Sequence, residues 1–431
     1  MRNILFSVSC LLAVASNAAA LVYSITNDHA DLLYRVGERA TFQVSVAEKD
    51  GKVPTSGVVH AKLDNFGPRT LASATWDLAT NHVFTMVGAL DEPGFLRLTL
   101  NAKGSPAKVW GVGVAPRQIV KGSPSPADFD AFWAEARAKF RRDFPNADAQ
   151  LEKVTERSTK DFDFYRISLV TYGRRVHGYL SVPTDKAKAP FPVDFGVNAA
   201  GFGNWTNNMQ GSPDAIVAQF SVYPFPPDWR WEKIGLKAQY DAMNDDCQKT
   251  FGARYSCAGI GVAPEKYFFY PVVLGIDRAV DWLAAREDVD RRRFRYQGTS
   301  QGGGFGFYLT GLNRAFTRAA FYVPAITDTM GCLAGRQSGW PSILENNSGT
   351  PDRRATAEKW APYFDGANFA SRITCPVRVA VGFADTTCAP CAVYAAYNEI
   401  KVKDKDIVHG FGMSHSCFGK FYESLGVWVR Q

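Results

Sequence analysis

A chain of 431 residues that is 46% hydrophobic and 21% charged holds more apolar material than one ordinary core needs, which excludes a disordered or fibrous protein and predicts two domains. Its formal charge of +7 is scattered rather than blocked, which speaks against a nucleic-acid partner. Beyond the N-terminus no stretch approaches the roughly 18 apolar residues of a membrane helix, so no membrane partner is expected.

The chain opens with Arg2, an apolar run from Ile4 to Ala15, and small residues at Ala18 and Ala20. This is the pattern of an export leader over residues 1–20, cleaved after Ala20, which places the mature chain outside the cytoplasm, secreted or periplasmic. Cleavage removes Cys10 and leaves Cys247, Cys257, Cys332, Cys375, Cys388, Cys391 and Cys417. For an exported protein that odd set predicts one or two disulfides and a free thiol, with Cys247 and Cys257 placed to close a small loop. Cys388-Ala389-Pro390-Cys391 lacks a second C-x-x-C or a neighbouring His pair, so neither a metal nor a cofactor is expected.

From residue 21 to 115 the runs "ATFQVSV", "GVVHAKL", "HVFTMVG", "GFLRLTLNA" and "KVWGVGV" alternate apolar and polar residues between turn clusters. Period-two patterning at this spacing predicts a small Ig-like antiparallel β-sandwich. His29, His60 and His82 fall among these runs without metal spacing. Residues 116–124 read as a linker.

The text then changes to "SPADFDAFWAEARAKF", where Ser125 suits a cap, Pro126 the first helical position, and Phe129, Phe132, Trp133, Ala136 and Phe140 one apolar stripe. Buried-strand candidates and amphipathic helices alternate from there to the C-terminus. Residues 125–431 are therefore expected to form an α/β domain, a doubly wound and mostly parallel sheet covered on both faces.

Gly298-Thr299-Ser300-Gln301-Gly302 fits G-x-S-x-G between the strand-like "RRFRY" and a helix. That context makes Ser300 a candidate nucleophile, because the sharp turn needs glycines where strand and helix approach. A serine attacks at neutral pH only when a base takes its proton, and the expected chain order is nucleophile, acid, histidine. Two histidines follow Ser300. His415 lies in the small-residue loop "GMSHSC" and is preferred to His409, which sits at a strand end. Asp385, closing the buried run "CPVRVAVGFAD", is the preferred acid over Asp328 in "VPAITDTMG". The oxyanion formed on attack needs two backbone amides, assigned to Gln301 and to Phe202 in the loop "VNAAGFGNW".

These segments resemble the acetyl xylan esterase and cephalosporin C deacetylase family of α/β-hydrolases. "SPADFDAFWAEA" looks like the family's entry helix, and "YFFYPVVLGIDRAVDWLAAREDVDRRRFRYQGTSQGGGFGF" like its helix, strand and nucleophile turn. "GFADTTCAPCAVYAAYN" is similar to its D-x-x-x-P-P-S-T-x-F-A-A-Y-N stretch, and "GMSHS" corresponds to its histidine loop. The resemblance implies an exported, cofactor-free serine esterase that removes acetyl groups from acetylated carbohydrate, xylan or xylo-oligosaccharides, through an acyl-enzyme. It also implies Ser300, His415 and Asp385 as triad and Gln301 with Phe202 as oxyanion donors. The family's ring-shaped hexamers put a homo-oligomer among the assemblies the resemblance allows.

The chain departs from the family pattern where H-G-Y-G-G becomes Ala200-Gly201-Phe202-Gly203-Asn204 and where no R-G-Q-G stretch follows. A feruloyl or methyl esterase and a non-catalytic glycan-binding protein stand as alternative readings. Since Cys388 and Cys391 fall on the family's P-P-S-T stretch, a bridge from one of them to Cys417 would stiffen the acid and histidine loops. Trp205, Trp229, Trp231 and Trp340 are candidates to stack on sugar rings.

Overall fold

A computed structural model describes residues 20–146, 149–203, 206–416 and 420–431, without the side chains of residues 420–422. The leader expectation, but for Ala20, lies outside the described residues.

The first region contains strands β1 (Leu21–Asn27), β2 (Leu33–Tyr34), β3 (Ala40–Glu48), β4 (Val58–Asp64), β5 (Thr70–Asp77), β6 (Val83–Gly88), β7 (Gly94–Ala102) and β8 (Lys108–Val114). They form two sheets, ordered β1-β3-β6 and β2-β8-β7-β4-β5. The period-two pattern turns Phe42, Val44 and Val46 of β3 inward, together with Val59, Ala61 and Leu63 of β4 and Leu96, Leu98 and Leu100 of β7. The sheets meet closely at Gly88, where a Cβ would lie 2.3 Å from Leu63 Cδ2. Strands β1, β2 and β5 lie outside the five patterned runs. In β5 only Trp76 is buried, and "TLASAT" offers too little apolar contrast to announce a strand.

Residues 116–124 are tied down along their length. Asn398 Nδ2 donates to the Pro116 and Ile119 carbonyls, and the Gly122 amide donates to Asp328 Oδ1. Helix α1 (Phe129–Asp143) follows with Phe129, Trp133, Ala136 and Phe140 buried. It starts later than expected. Pro126 closes a turn by accepting the Phe129 amide, so Asp128 rather than Ser125 takes the cap position. Asp128 leaves the helix amides uncapped because its carboxylate accepts the Tyr363 hydroxyl.

The remaining elements are β9 (Gln150–Lys153), β10 (Phe162–Thr171), β11 (Arg174–Pro183), β12 (Phe191–Val197), β13 (Ile216–Ser221), α2 (Leu236–Phe251), α3 (Phe269–Ala284), β14 (Val289–Thr299), α4 (Gln301–Leu312), β15 (Arg318–Tyr322), α5 (Pro351–Trp360), α6 (Gly366–Ala370), β16 (Val377–Gly382), α7 (Pro390–Glu399), β17 (Lys405–Gly410) and α8 (Lys420–Arg430). Among the described residues the strands make one sheet of nine, ordered β17-β16-β15-β14-β12-β13-β11-β10-β9. The run from β17 to β13 is parallel. Strands β11, β10 and β9 add antiparallel neighbours, with Tyr172-Gly173 forming the tight turn between β10 and β11 and Gly173 at φ +68°.

Helices cover both faces of the parallel part. Phe321 of β15 faces α4, where its ring lies 4.6 Å from that of Phe307. Its neighbours Ala320 and Tyr322 join Ala380 on the opposite face in a separate cluster with Leu425 and Val429 of α8. Buried on both faces, these strands read as continuous apolar runs. The order reverses where β14 meets β12, and the ends of β12, β14, β16 and β17 open on one edge, the usual place for a site in such a sheet.

Candidate active site

Ser300 stands alone between β14 and α4 with φ 55° and ψ −119°, a torsion that side chains rarely adopt and that projects the hydroxyl out of the turn. Three backbone bonds hold it: the Ser300 amide donates to the Tyr322 carbonyl, and the Ser300 carbonyl accepts from Gly304 and Ala325. Two flanking glycines are obligatory. A Cβ at Gly298 would lie 2.5 Å from the Gly302 carbonyl, and one at Gly302 would lie 2.2 Å from the Val197 carbonyl. The turn is thereby wedged against the end of β12, where the "AGFGN" loop begins.

His415 reaches this turn from the loop after β17. Its Nε2 lies 2.9 Å from Ser300 Oγ and its Nδ1 lies 2.8 Å from Asp385 Oδ2. Asp385 follows β16 and is fully buried, and its Oδ1 accepts the amides of Thr387 and Cys388 at 2.8 and 2.9 Å. Such donors offset the cost of burying a carboxylate. The two loops are zipped by their backbones, Phe383 donating to Gly410 and Ala384 to Met413. The order serine, imidazole, carboxylate is the one that moves a proton off a hydroxyl and stabilises the imidazolium that results.

Gln301 opens α4, so its amide is among the first-turn donors that have no partner within the helix. Its side chain is fully buried and spans two groups: Nε2 donates to the Asn198 carbonyl and Oε1 accepts the Tyr255 hydroxyl. Phe202 lies five residues past the end of β12. Its carbonyl accepts from Asn207 Nδ2, and its ring packs edge-on against Trp231 with centroids 5.1 Å apart. The Gly201 amide donates to the Tyr223 hydroxyl. Asn198, Tyr223 and Tyr255 were missed in the sequence because they belong to no motif. Burial of the two tyrosines drives their pKa values far above the usual phenol range, so they stay neutral donors.

The rival candidates are engaged elsewhere. His409 Nε2 lies 2.6 Å from the Tyr394 hydroxyl on the sandwich side of β17, and burial lowers its pKa. Asp328 is fully buried and paired with Arg336. Trp229 sits among Arg157, Arg166 and Arg230, and Trp340 packs against the core. Trp205 lies outside the described residues.

The disulfide expectation is corrected for the described cysteines. Cys247, Cys257, Cys332, Cys375, Cys388 and Cys391 are free. Cys257 is turned away from Cys247, its thiol donating to the Pro341 carbonyl. Cys417, the third member of the expected Cys388 or Cys391 bridge, lies outside the described residues. Asp385, Cys388 and His415 are the described residues that cluster closely enough to hold a metal ion, but Asp385 and His415 already bond each other. Burial also raises the Cys388 thiol well above its usual range, which disfavours the thiolate a metal needs.

Comparison with known proteins adds the following. Residues 118–430 match the family model for acetyl xylan esterase. The acetyl esterase Axe7A of Xylanibacter ruminicola is 28% identical over 423 residues, covering 95% of this chain and 92% of the relative. An acetyl xylan esterase from a Paenibacillus species is 22% identical with a TM-score of 0.60, over 73% of this chain and 97% of that one. Acetyl xylan esterase 1 from a Thermoanaerobacterium species is 18% identical with a TM-score of 0.57, over 73% and 96%. Both share the fold.

Proposed function

The chain belongs to the acetyl xylan esterase family and is a carboxylic ester hydrolase; from that premise we propose that it is an exported enzyme that releases acetate from acetylated xylan or xylo-oligosaccharides through a Ser300 acyl-enzyme. The observation that carries the mechanism is the unbroken contact from Ser300 Oγ through His415 to Asp385. Ser300 Oγ attacks the acetyl carbonyl while His415 Nε2 takes its proton. Asp385 accepts the Nδ1 hydrogen and stabilises the imidazolium. The oxyanion receives the amides of Gln301 and Phe202. Collapse breaks the bond to the sugar oxygen, which leaves as a hydroxyl by taking the proton from His415, and a water activated by the same imidazole then releases acetate.

Residues 125–431 are the catalytic domain in this reading and residues 21–115 an appended sandwich. Export rests on the leader pattern before Ala20. Among the described residues no helix is long and apolar enough to cross a membrane.

The test measures acetate release from acetylated xylo-oligosaccharides and from 4-nitrophenyl acetate, comparing the chain with Ser300→Ala. Activity on both that falls by at least ~10³-fold in the variant is expected. Release that survives the substitution overturns the acyl-enzyme, and activity confined to the nitrophenyl ester overturns the substrate.

A further inference from the structure

We propose that the N-terminal sandwich is part of the catalytic apparatus, with Trp110 and Gly111 of β8 and Gln337 as positioning residues that hold the Asp385 and His415 loops in register. The proposal rests on the triad reading above. Three contacts carry it, each between residues more than two hundred positions apart or bridging the two regions.

First, the Trp110 ring packs directly against Gly412, three residues before His415. A Cβ at Gly412 would sit 2.4 Å from Trp110 Cζ3 and 3.1 Å from two further ring carbons. Gly412 is at φ +65°, so the chain turns toward His415 at the point where the indole presses on it. The indole is itself fixed, since its Nε1 donates to Asn27 Oδ1 at 2.8 Å.

Second, β8 runs hard against the acid loop. A Cβ at Gly111 would fall 1.9 Å from the Phe383 carbonyl, two residues before Asp385. The Phe383 ring stands edge-on to Phe95 of β7 with centroids 5.1 Å apart.

Third, a polar relay leads from the sandwich to the residue after the acid. Arg97 Nη1 donates to Gln337 Oε1 at 3.1 Å, and Gln337 Nε2 donates to the Thr386 carbonyl at 2.6 Å. Its own end is anchored, because Arg97 makes a two-pronged pair with the fully buried Asp64 and the Gln337 amide donates to the Phe66 carbonyl.

The sandwich therefore presses on the histidine loop, on the acid loop and on Thr386 at once. A displacement of ~1 Å at a catalytic group can cost about 10²-fold in rate, so this support bears on turnover rather than on substrate binding.

The test uses the full chain with Trp110→Ala, Trp110→Phe and Gln337→Ala. Thermal melting establishes that each is folded. Trp110→Ala is expected to lower kcat at least ~10-fold with KM within about twofold, to slow fluorophosphonate labelling of Ser300 in proportion, and to weaken the low-field proton resonance of the His415–Asp385 bond. Trp110→Phe, which keeps a ring against Gly412, is expected to restore most of the labelling rate. If Trp110→Ala fails to fold, Gln337→Ala decides, with an expected loss of about threefold or more in both kcat and labelling. Folded variants with wild-type kcat and labelling overturn the proposal while leaving the esterase reading intact. A parent enzyme whose activity is indifferent to Ser300→Ala removes the reading on which the proposal stands.

Discussion

The two flanks of Ser300 are built by different means. On one side, the Asp385 and His415 loops are joined by backbone hydrogen bonds and backed by a second region of the chain. On the other, side chains reach the groups around the oxyanion position: Tyr223 the Gly201 amide, Asn207 the Phe202 carbonyl, and Tyr255 the Gln301 side chain. A backbone zipper loses nothing when one side chain changes. A loop held by side chains gives way one hydroxyl at a time. The flank that carries the proton relay should therefore fail only when a reacting group or its backing is removed, and the oxyanion flank should fail by degrees.

The largest effect that sharpens this contrast is at Asp385. Asp385→Asn keeps the size of the side chain but removes the charge that orients His415, and kcat is expected to fall by about 10³–10⁴-fold with little change in melting temperature. A loss below tenfold in a steady-state assay would show that the carboxylate is not the orienting group.

A smaller effect is expected at Tyr255. Tyr255→Phe strips a buried donor from Gln301 Oε1 and leaves that oxygen unpaired, at a cost of about 1–3 kcal/mol in stability. The Gln301 amide shifts with its side chain, so kcat should drop roughly tenfold, the share of one imperfectly placed oxyanion donor. Unchanged kcat alongside the stability loss would detach this tyrosine from the oxyanion flank.

The smallest effect on turnover, and the most particular, concerns the footing of the acid flank. Asp365 is fully buried and accepts the amides of Asp328 and Thr329 at 2.8 and 2.7 Å, at the base of the loop that carries Gln337. Burial, with the nearby Asp328 charge, raises its pKa from 3.8 to about 6. The folded state thus holds the proton more tightly than the unfolded chain. That contribution is complete below about pH 4 and disappears as pH rises through about 6. The stability of the parent relative to Asp365→Asn should fall on the order of 3 kcal/mol across that window, read from urea midpoints at pH 4 and pH 7. A pH-independent difference would show that Asp365 stays ionised throughout.

Much of the site is legible in the text because its parts are local. Ser300 is announced by glycines that sterics demand within four residues, between a strand and a helix that each show their own period. The carboxyl ends of strands put Asp385 and His415 on the same edge once a parallel sheet is inferred. Phe202 and Gln301, proposed here as oxyanion donors, are assigned from where such donors must lie. The tyrosines that bond Gly201 and Gln301 leave no such mark, since a lone Tyr255 in "GARYSCAG" looks like any core aromatic until Gln301 is placed beside it.

Several features were decided only by the tertiary structure. Cysteine pairing is one: Cys247 and Cys257 are near in sequence, yet packing turns the Cys257 thiol to Pro341. The start of α1 is another: Pro126 accepts the Phe129 amide in a turn, and Tyr363, from far along the chain, takes the Asp128 carboxylate. The largest is the seating of the sandwich on the acid and histidine loops. By itself the sequence determined the periodic elements, the glycine-bounded turn at Ser300 and the chain order of the proposed reacting residues, since backbone torsions and side-chain period act over a few positions. It could not set Trp110 on Gly412 or Gly111 on Phe383, because surfaces about three hundred residues apart meet through shape and summed packing, which no local pattern encodes.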